Sequence, residues 1–135
     1  MRTKHQIFCL KGHTSTVASI LVNETDPQVV TGSMDSTIRT WDLTAGKTIT
    51  TLTHHKKSVR ALASHPRDFT FVSGAADNIK QWRLPRAEFL QNMGTSKTNL
   101  EYMKHRGIVN CVSTNADDVV FAGGACRPYL LLMFY

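Results

Sequence analysis

Six histidines, three cysteines and one Gly-Lys-Thr run hold most of the reactive chemistry open to this 135-residue chain. His13, Ser33 and Asp35 have the residue types of a base, a nucleophile and an orienting acid, the set that acyl transfer uses. His54, His55 and His65 could ligate a metal, but no carboxylate or cysteine cluster accompanies them, so no metal site is expected. Ala45-Gly46-Lys47-Thr48 ends like a phosphate-binding loop. The earlier glycine that such a loop requires falls on Trp41, and the segment sits in a turn between strands rather than before a helix. Cys9, Cys111 and Cys126 are odd in number and widely spaced, which fits neither a disulfide frame nor a zinc site and points to a reducing compartment. Cys9 falls at a strand position and reads as a core residue rather than a reactive thiol.

The same residues take a different meaning once the chain is compared with itself. Ile7 to His13 matches Ile49 to His55 at an offset of 42, with Val17 and Val59 each four residues after the histidine. Thr31-Gly32-Ser33-Met34-Asp35 recurs as Ser73-Gly74-Ala75-Ala76-Asp77, and Ile38-Arg39-Thr40-Trp41 as Ile79-Lys80-Gln81-Trp82 after a turn one residue shorter. A third copy starts with His105 and Val109, continues through Val119 to Ala125, and then loses the pattern; about eight extra residues fall within Gly94 to Lys104. Within each unit, short β-branched runs alternate and are divided by Asn23 to Pro27, Asp35-Ser36 and Ala45-Gly46. That predicts four strands per unit and no helix: Val17 to Val22, Gln28 to Ser33, Thr37 to Leu43 and Lys47 to Thr53 in the first. The period, with its Gly-His and Trp-Asp marks, resembles that of WD-repeat propellers. The expected fold is therefore all-β, a partial β-propeller with about two complete four-stranded blades and an incomplete third. The repeats run about 12–53, 54–93 and 104–125, followed by a divergent tail at 126–135.

In that frame His13, Asp35 and Trp41, with Thr31 or Ser33 as hydroxyl, are expected to form a buried polar chain that ties the turn before the first strand to the blade. His55, Ser73 or Ala75, Asp77 and Trp82 hold the same slots in the second unit. An unpartnered buried polar group costs about 1–3 kcal/mol, so a complete chain fixes the local fold. In the third unit only His105 survives, which predicts a poorly locked blade. No acid, base or nucleophile lies outside the repeat positions, so no enzyme, cofactor or small-molecule substrate is expected.

Composition agrees with a folded domain: 41% apolar, 8% aromatic and 19% charged. No apolar run approaches the ~18 residues of a membrane span, and the basic start at Met1 to His5 lacks the apolar stretch of a secretory signal. The net charge of +6 permits an RNA or acidic protein partner. Lys56, Lys57 and Arg60 cluster after the second histidine, and Lys80 and Arg83 extend the basic set as candidate partner contacts. Aromatics for base stacking are not interleaved with them.

Several stretches carry a closer resemblance, to the pleiotropic regulator family of WD-repeat proteins. They include Thr25 to Ser33, Asp35 to Arg39, Leu52 to Ala61, His65-Pro66 and Asp77 to Trp82 with Leu84-Pro85, and the likeness covers about residues 7–125. It implies a seven-bladed propeller that scaffolds proteins of the spliceosomal Nineteen complex in the nucleus, without catalysis. It implies contact with other splicing proteins, and with RNA indirectly or through the basic surface. Some plant members are linked to ubiquitin-ligase adaptors, whose motif wants Arg or Lys two residues after Trp-Asp; that position is Thr44 here, and Trp82 is followed by Arg83-Leu84-Pro85. Four further blades and an N-terminal region of the family have no counterpart, so the chain is expected to be a truncated fragment. An open arc would leave inter-blade faces in water, to be completed by another chain or prone to aggregation.

Overall fold

Runs of β-branched and apolar residues, five or six long and closed off by Asp, Pro, Gly and Asn, give the chain no helical period to follow. The computed structural model accordingly contains strands and no helix among the described residues, which are 5–23, 26–93, 108–117, 119–124 and, for the backbone, 131–134. Strands β1 (Val17–Val22), β2 (Gln28–Ser33), β3 (Ile38–Asp42) and β4 (Lys47–Leu52) pair antiparallel in chain order as the first sheet. Strands β5 (Val59–Ser64), β6 (Thr70–Ala75), β7 (Ile79–Arg83) and β8 (Glu88–Met93) repeat the arrangement as the second. Ser36 (φ 68°) and Gly46 (φ 64°) provide the left-handed residues that the β2–β3 and β3–β4 turns require.

The third sheet consists of β9 (Val109–Thr114), β10 (Val119–Gly124) and β11 (Leu131–Phe134), again antiparallel neighbours. Its last strand lies in the segment that the sequence pattern treats as divergent. Leu131 to Phe134 pair with Ala122 to Val119, so an apolar run without the repeat's signature residues still takes the strand slot beside β10. His105 and the insertion within Gly94 to Lys104 lie outside the described residues.

The register repeats in detail. A bulge between Val17 and Ser19 opposite Gly32 and Ser33 recurs between Val59 and Ala61 opposite Gly74 and Ala75. It recurs again between Gly123 and Gly124 opposite Cys111 and Val109. A second bulge precedes each tryptophan, at Thr40/Trp41 and Gln81/Trp82. Bulges re-aim side chains, and these aim equivalent residues at equivalent neighbours.

The sheets stack face to face around two apolar layers. Leu21, Val30, Ile38 and Leu52 of the first sheet meet Val59, Phe71, Trp82 and Leu84 of the second. Val72, Ile79 and Met93 on the second sheet's other face meet Val120 and Ala122 of the third, with Val109 and Val112 packed alongside. The second sheet is thus covered on both faces. The three stacked meanders form an unclosed part of a β-propeller.

Candidate functional site

Period-two alternation puts Thr31 and Trp41 on the same face of the first sheet, because Thr31 pairs with Arg39 and Trp41 lies two residues further along β3. The segment before β1 then lays His13 over both. Trp41 Nε1–H donates to Thr31 Oγ1 at 2.8 Å, and Thr31 Oγ1 lies 2.7 Å from His13 Nε2. His13 Nδ1 lies 2.9 Å from Asp35 Oδ2. A carboxylate only accepts, so His13 donates from Nδ1, and its Nε2 accepts the Thr31 proton; the network assigns the neutral Nδ1–H tautomer. Asp35 is itself held by Thr37 Oγ1–H at 2.6 Å and by the backbone N–H of Thr37 and Thr14. Burial alone would raise the Asp35 carboxyl. The Thr37 and His13 hydrogen bonds more than offset that and keep it well below the usual carboxylate range.

The second sheet repeats this chain at nearly identical distances. Trp82 Nε1–H donates to Ser73 Oγ at 2.8 Å, Ser73 Oγ lies 2.7 Å from His55 Nε2, and His55 Nδ1 lies 2.9 Å from Asp77 Oδ1. The backbone N–H of Lys56 donates to Asp77 Oδ2, as Thr14 does to Asp35. Burial pushes the His55 imidazole down, more than the Asp77 carboxylate raises it. Burial would raise Asp77, but the Lys56 N–H and His55 hold it down. Trp82 is fully buried beneath the first sheet, with Phe71 stacked at 6.1 Å and His54 edge-on at 5.2 Å. Trp41 lies on the first sheet's outer face, roofed by the segment that carries Gly12 and His13. A Cβ on Gly12 would stand 2.6 Å from Arg39 Nη1 and 3.2 Å from the Trp41 ring, so only glycine lets that segment lie so close.

Three sequence expectations need correction or completion. Ser33 does not serve as the hydroxyl of the chain: its Oγ–H donates to the Thr16 carbonyl at 3.0 Å, and Thr31 holds that position. The reason is that Ser33 lies at the end of β2, beyond the last β2–β3 pair, Gly32 with Ile38. Ala75 likewise stands aside from Ser73. Lys80 is not a surface contact: it is 6% exposed, its ammonium donates to Asn92 Oδ1 at 2.6 Å and lies 5.3 Å from the Phe89 ring centre. Burial pushes the Lys80 ammonium down, against the pull of Asp77. Thr37 is a partner that the repeat comparison misses, because the second turn is a residue shorter; an Asp followed two residues later by Thr is the local signal for it.

The remaining basic candidates stay at the surface. Lys56, Lys57 and Arg83 are exposed, and Arg60 reaches Asn110 Oδ1 of the third sheet at 3.4 Å. Lys47 and Thr48 follow a turn in which Asp42 Oδ1 accepts the Thr44 N–H at 2.7 Å and the Thr44 hydroxyl at 2.6 Å. His65 Nδ1 accepts the backbone N–H of Arg67 and Asp68 and so caps its own loop.

Residues 4–42 and 46–83 match the family described as WD domain, G-beta repeat. The chain is 51% identical over 124 residues, 92% of its length, to the protein pleiotropic regulator PRL2 of Arabidopsis thaliana. It is 39% identical over 79 residues (58% of the chain) to pre-mRNA-splicing factor PRP46 of Candida glabrata, and 48% over 63 residues (47%) to pleiotropic regulator 1 of Homo sapiens. It spans 24%, 17% and 10% of the lengths of these three relatives.

Proposed function

The chain belongs to the WD40 family of G-beta repeats, and on that premise we propose that it is a non-catalytic scaffold that holds proteins of a pre-mRNA-splicing assembly together in the nucleus. The observation that carries the reading is its similarity to the pleiotropic regulators and to a named splicing factor across both four-stranded sheets. The geometry of the polar chains supports a structural rather than a chemical role. Thr31 Oγ1 is 6% exposed as a residue and already accepts the indole N–H, and Ser73 Oγ is fully buried under Trp82. A hydroxyl in that position has no approach for a substrate carbonyl, which acyl transfer requires. Binding then falls to loops and sheet edges that the stacked sheets hold in fixed positions.

A tagged copy expressed in cells tests the proposal. It is expected in the nucleus, and splicing proteins are expected to co-purify with it before and after RNase treatment. A cytoplasmic location, or a nuclear pool free of splicing proteins, overturns it. The exposed Lys56 and Lys57 favour a second reading, direct RNA contact. That reading requires an affinity for single-stranded RNA that falls steeply with salt, and a flat salt dependence removes it.

A further inference from the structure

We propose that the outer face of the first sheet is the docking surface for the third sheet of a second copy of this chain, forming a head-to-tail pair. The argument starts from how the sheets already meet. A Cβ on Gly32 would stand 2.8 Å from Val59 Cγ1 and 3.4 Å from Leu62 Cγ, so the second sheet presents a Val–Leu pair to a glycine on the first. A Cβ on Gly74 would stand 2.7 Å from Val109 Cγ1 and 2.7 Å from Val112 Cγ2, so the third sheet presents a Val–Val pair to a glycine on the second. One key and one lock serve both junctions.

Both parts recur, unused, at the two ends of the stack. The key is Val17 and Ile20, which the register makes equivalent to Val59 and Leu62; they are 40% and 65% exposed on the face away from the second sheet. The lock is Gly123, which pairs with Cys111 as Gly32 pairs with Ser19 and Gly74 with Ala61. Val120 and Ala122 pack inward against the second sheet, so alternation turns Phe121 and Gly123 to the opposite face. Phe121 stands opposite Ser113, in the slot that Val30 and Val72 fill at the two existing junctions. Val30 and Val72 are each fully buried there. The first sheet offers Phe121 a place: a groove of about 430 Å³ lined by Val17, Ile20, Val29, His13 and Trp41.

The backbone carries a second match. Residues Ile7 to Leu10 have the sequence pattern of Ile49 to Leu52, the outermost strand of the first sheet, yet they belong to no strand themselves. The third sheet has β11 in the position of β3 and, among the described residues, no strand in the position of β4. Docking of the first sheet of one copy on the third sheet of another brings Ile7 to Leu10 to that open edge, where they add the fourth strand. A glycine-to-pair junction within one chain would close a ring of three sheets, below the ~4–8 of closed propellers, whereas two copies give six. Each copy contributes both key and lock, so a twofold arrangement satisfies both junctions.

Light scattering and sedimentation on the whole chain test this. The expected species has twice the chain's mass. Ile20→Asp and Phe121→Asp are each expected to give a monomer; Ile20 is already 65% exposed, and an unchanged far-UV spectrum verifies that this variant stays folded. A mixture of the two variants is expected to recover pairing, because one retains the intact third sheet and the other the intact first. Hydrogen exchange is expected to slow at the amides of Ile7 to Leu10 as the pair forms. A wild-type monomer at the highest soluble concentration, a mass growing beyond two copies, or a variant mixture that stays monomeric overturns the proposal. So does loss of pairing in Ile20→Asp but not in Phe121→Asp, which is the mark of two first sheets meeting each other.

Discussion

Two side chains carrying hydroxyls lie two residues apart on β2, and only one of them joins the polar chain. Thr31→Val keeps the shape but removes the acceptor of the Trp41 indole and the donor to His13. It is expected to lower the unfolding free energy by about 1–3 kcal/mol in urea titrations. Ser33→Ala, which loses one backbone contact, is expected to cost about 1 kcal/mol or less. Equal losses in the two variants would refute the assignment. Acid acts on the second chain first. Burial lowers the folded-state His55 value below its ordinary 6.5, so the unfolded chain binds the proton more readily. The His55 contribution is therefore complete above pH 6.5 and declines as the pH falls below it. Asp35 and Asp77 are depressed as well, and their contributions are lost only below the ordinary carboxylate value of 3.8. Melting temperature is thus expected to be flat above neutrality and to fall in two stages, the first of which disappears in His55→Gln. The histidines, aspartates and tryptophans were legible from the repeat because each is required by type at a fixed offset. The choice of Thr31 over Ser33 was not, since alternation puts both on one face and only depth against the Trp41 ring separates them. Lys80 was misread for a related reason: its burial comes from what packs beside it, not from its own strand.

At the level of strands, turn residues and alternation located every element of the first sheet to within a residue. Thr37, Leu43 and Thr53 fall just outside, where pairing gives way to turn or loop. The strand β11 was not legible, because its pairing depends on an open edge elsewhere in the chain rather than on any turn signal of its own. The junctions between sheets were legible only in part. Gly74 stands out in the repeat, but nothing local shows that two valines press on it. Gly74→Ala adds a methyl 2.7 Å from both Val109 and Val112 and is expected to destabilise the fold by about 1–3 kcal/mol. Chemical denaturation checks this, and Val112→Ala in the same chain is expected to restore part of the loss by making room. A stable single variant would mean the sheets slide freely past one another.

Across the whole chain, stability is expected to decline outward from the middle. The second sheet buries apolar residues on both faces, the first and third on one each. In stacked repeats each unit is stabilised by its neighbours, so the unit with two neighbours opens last. Hydrogen exchange is expected to be slowest in β5, β6 and β7, faster in β1, and faster still in the segment ahead of it. Uniform protection across the three sheets would indicate a single all-or-none unit instead.

The roof over Trp41 has a practical corollary. The two indoles donate to equivalent hydroxyls at the same 2.8 Å, so in an intact chain they should fluoresce alike. One is sealed by an entire neighbouring sheet and the other by a single strip of backbone near the N-terminus. A soluble quencher should therefore reach Trp41 whenever that strip peels away, while Trp82 stays dark to it. The Trp82→Phe chain would thus carry its own optical gauge of whether the amino-terminal strip is seated.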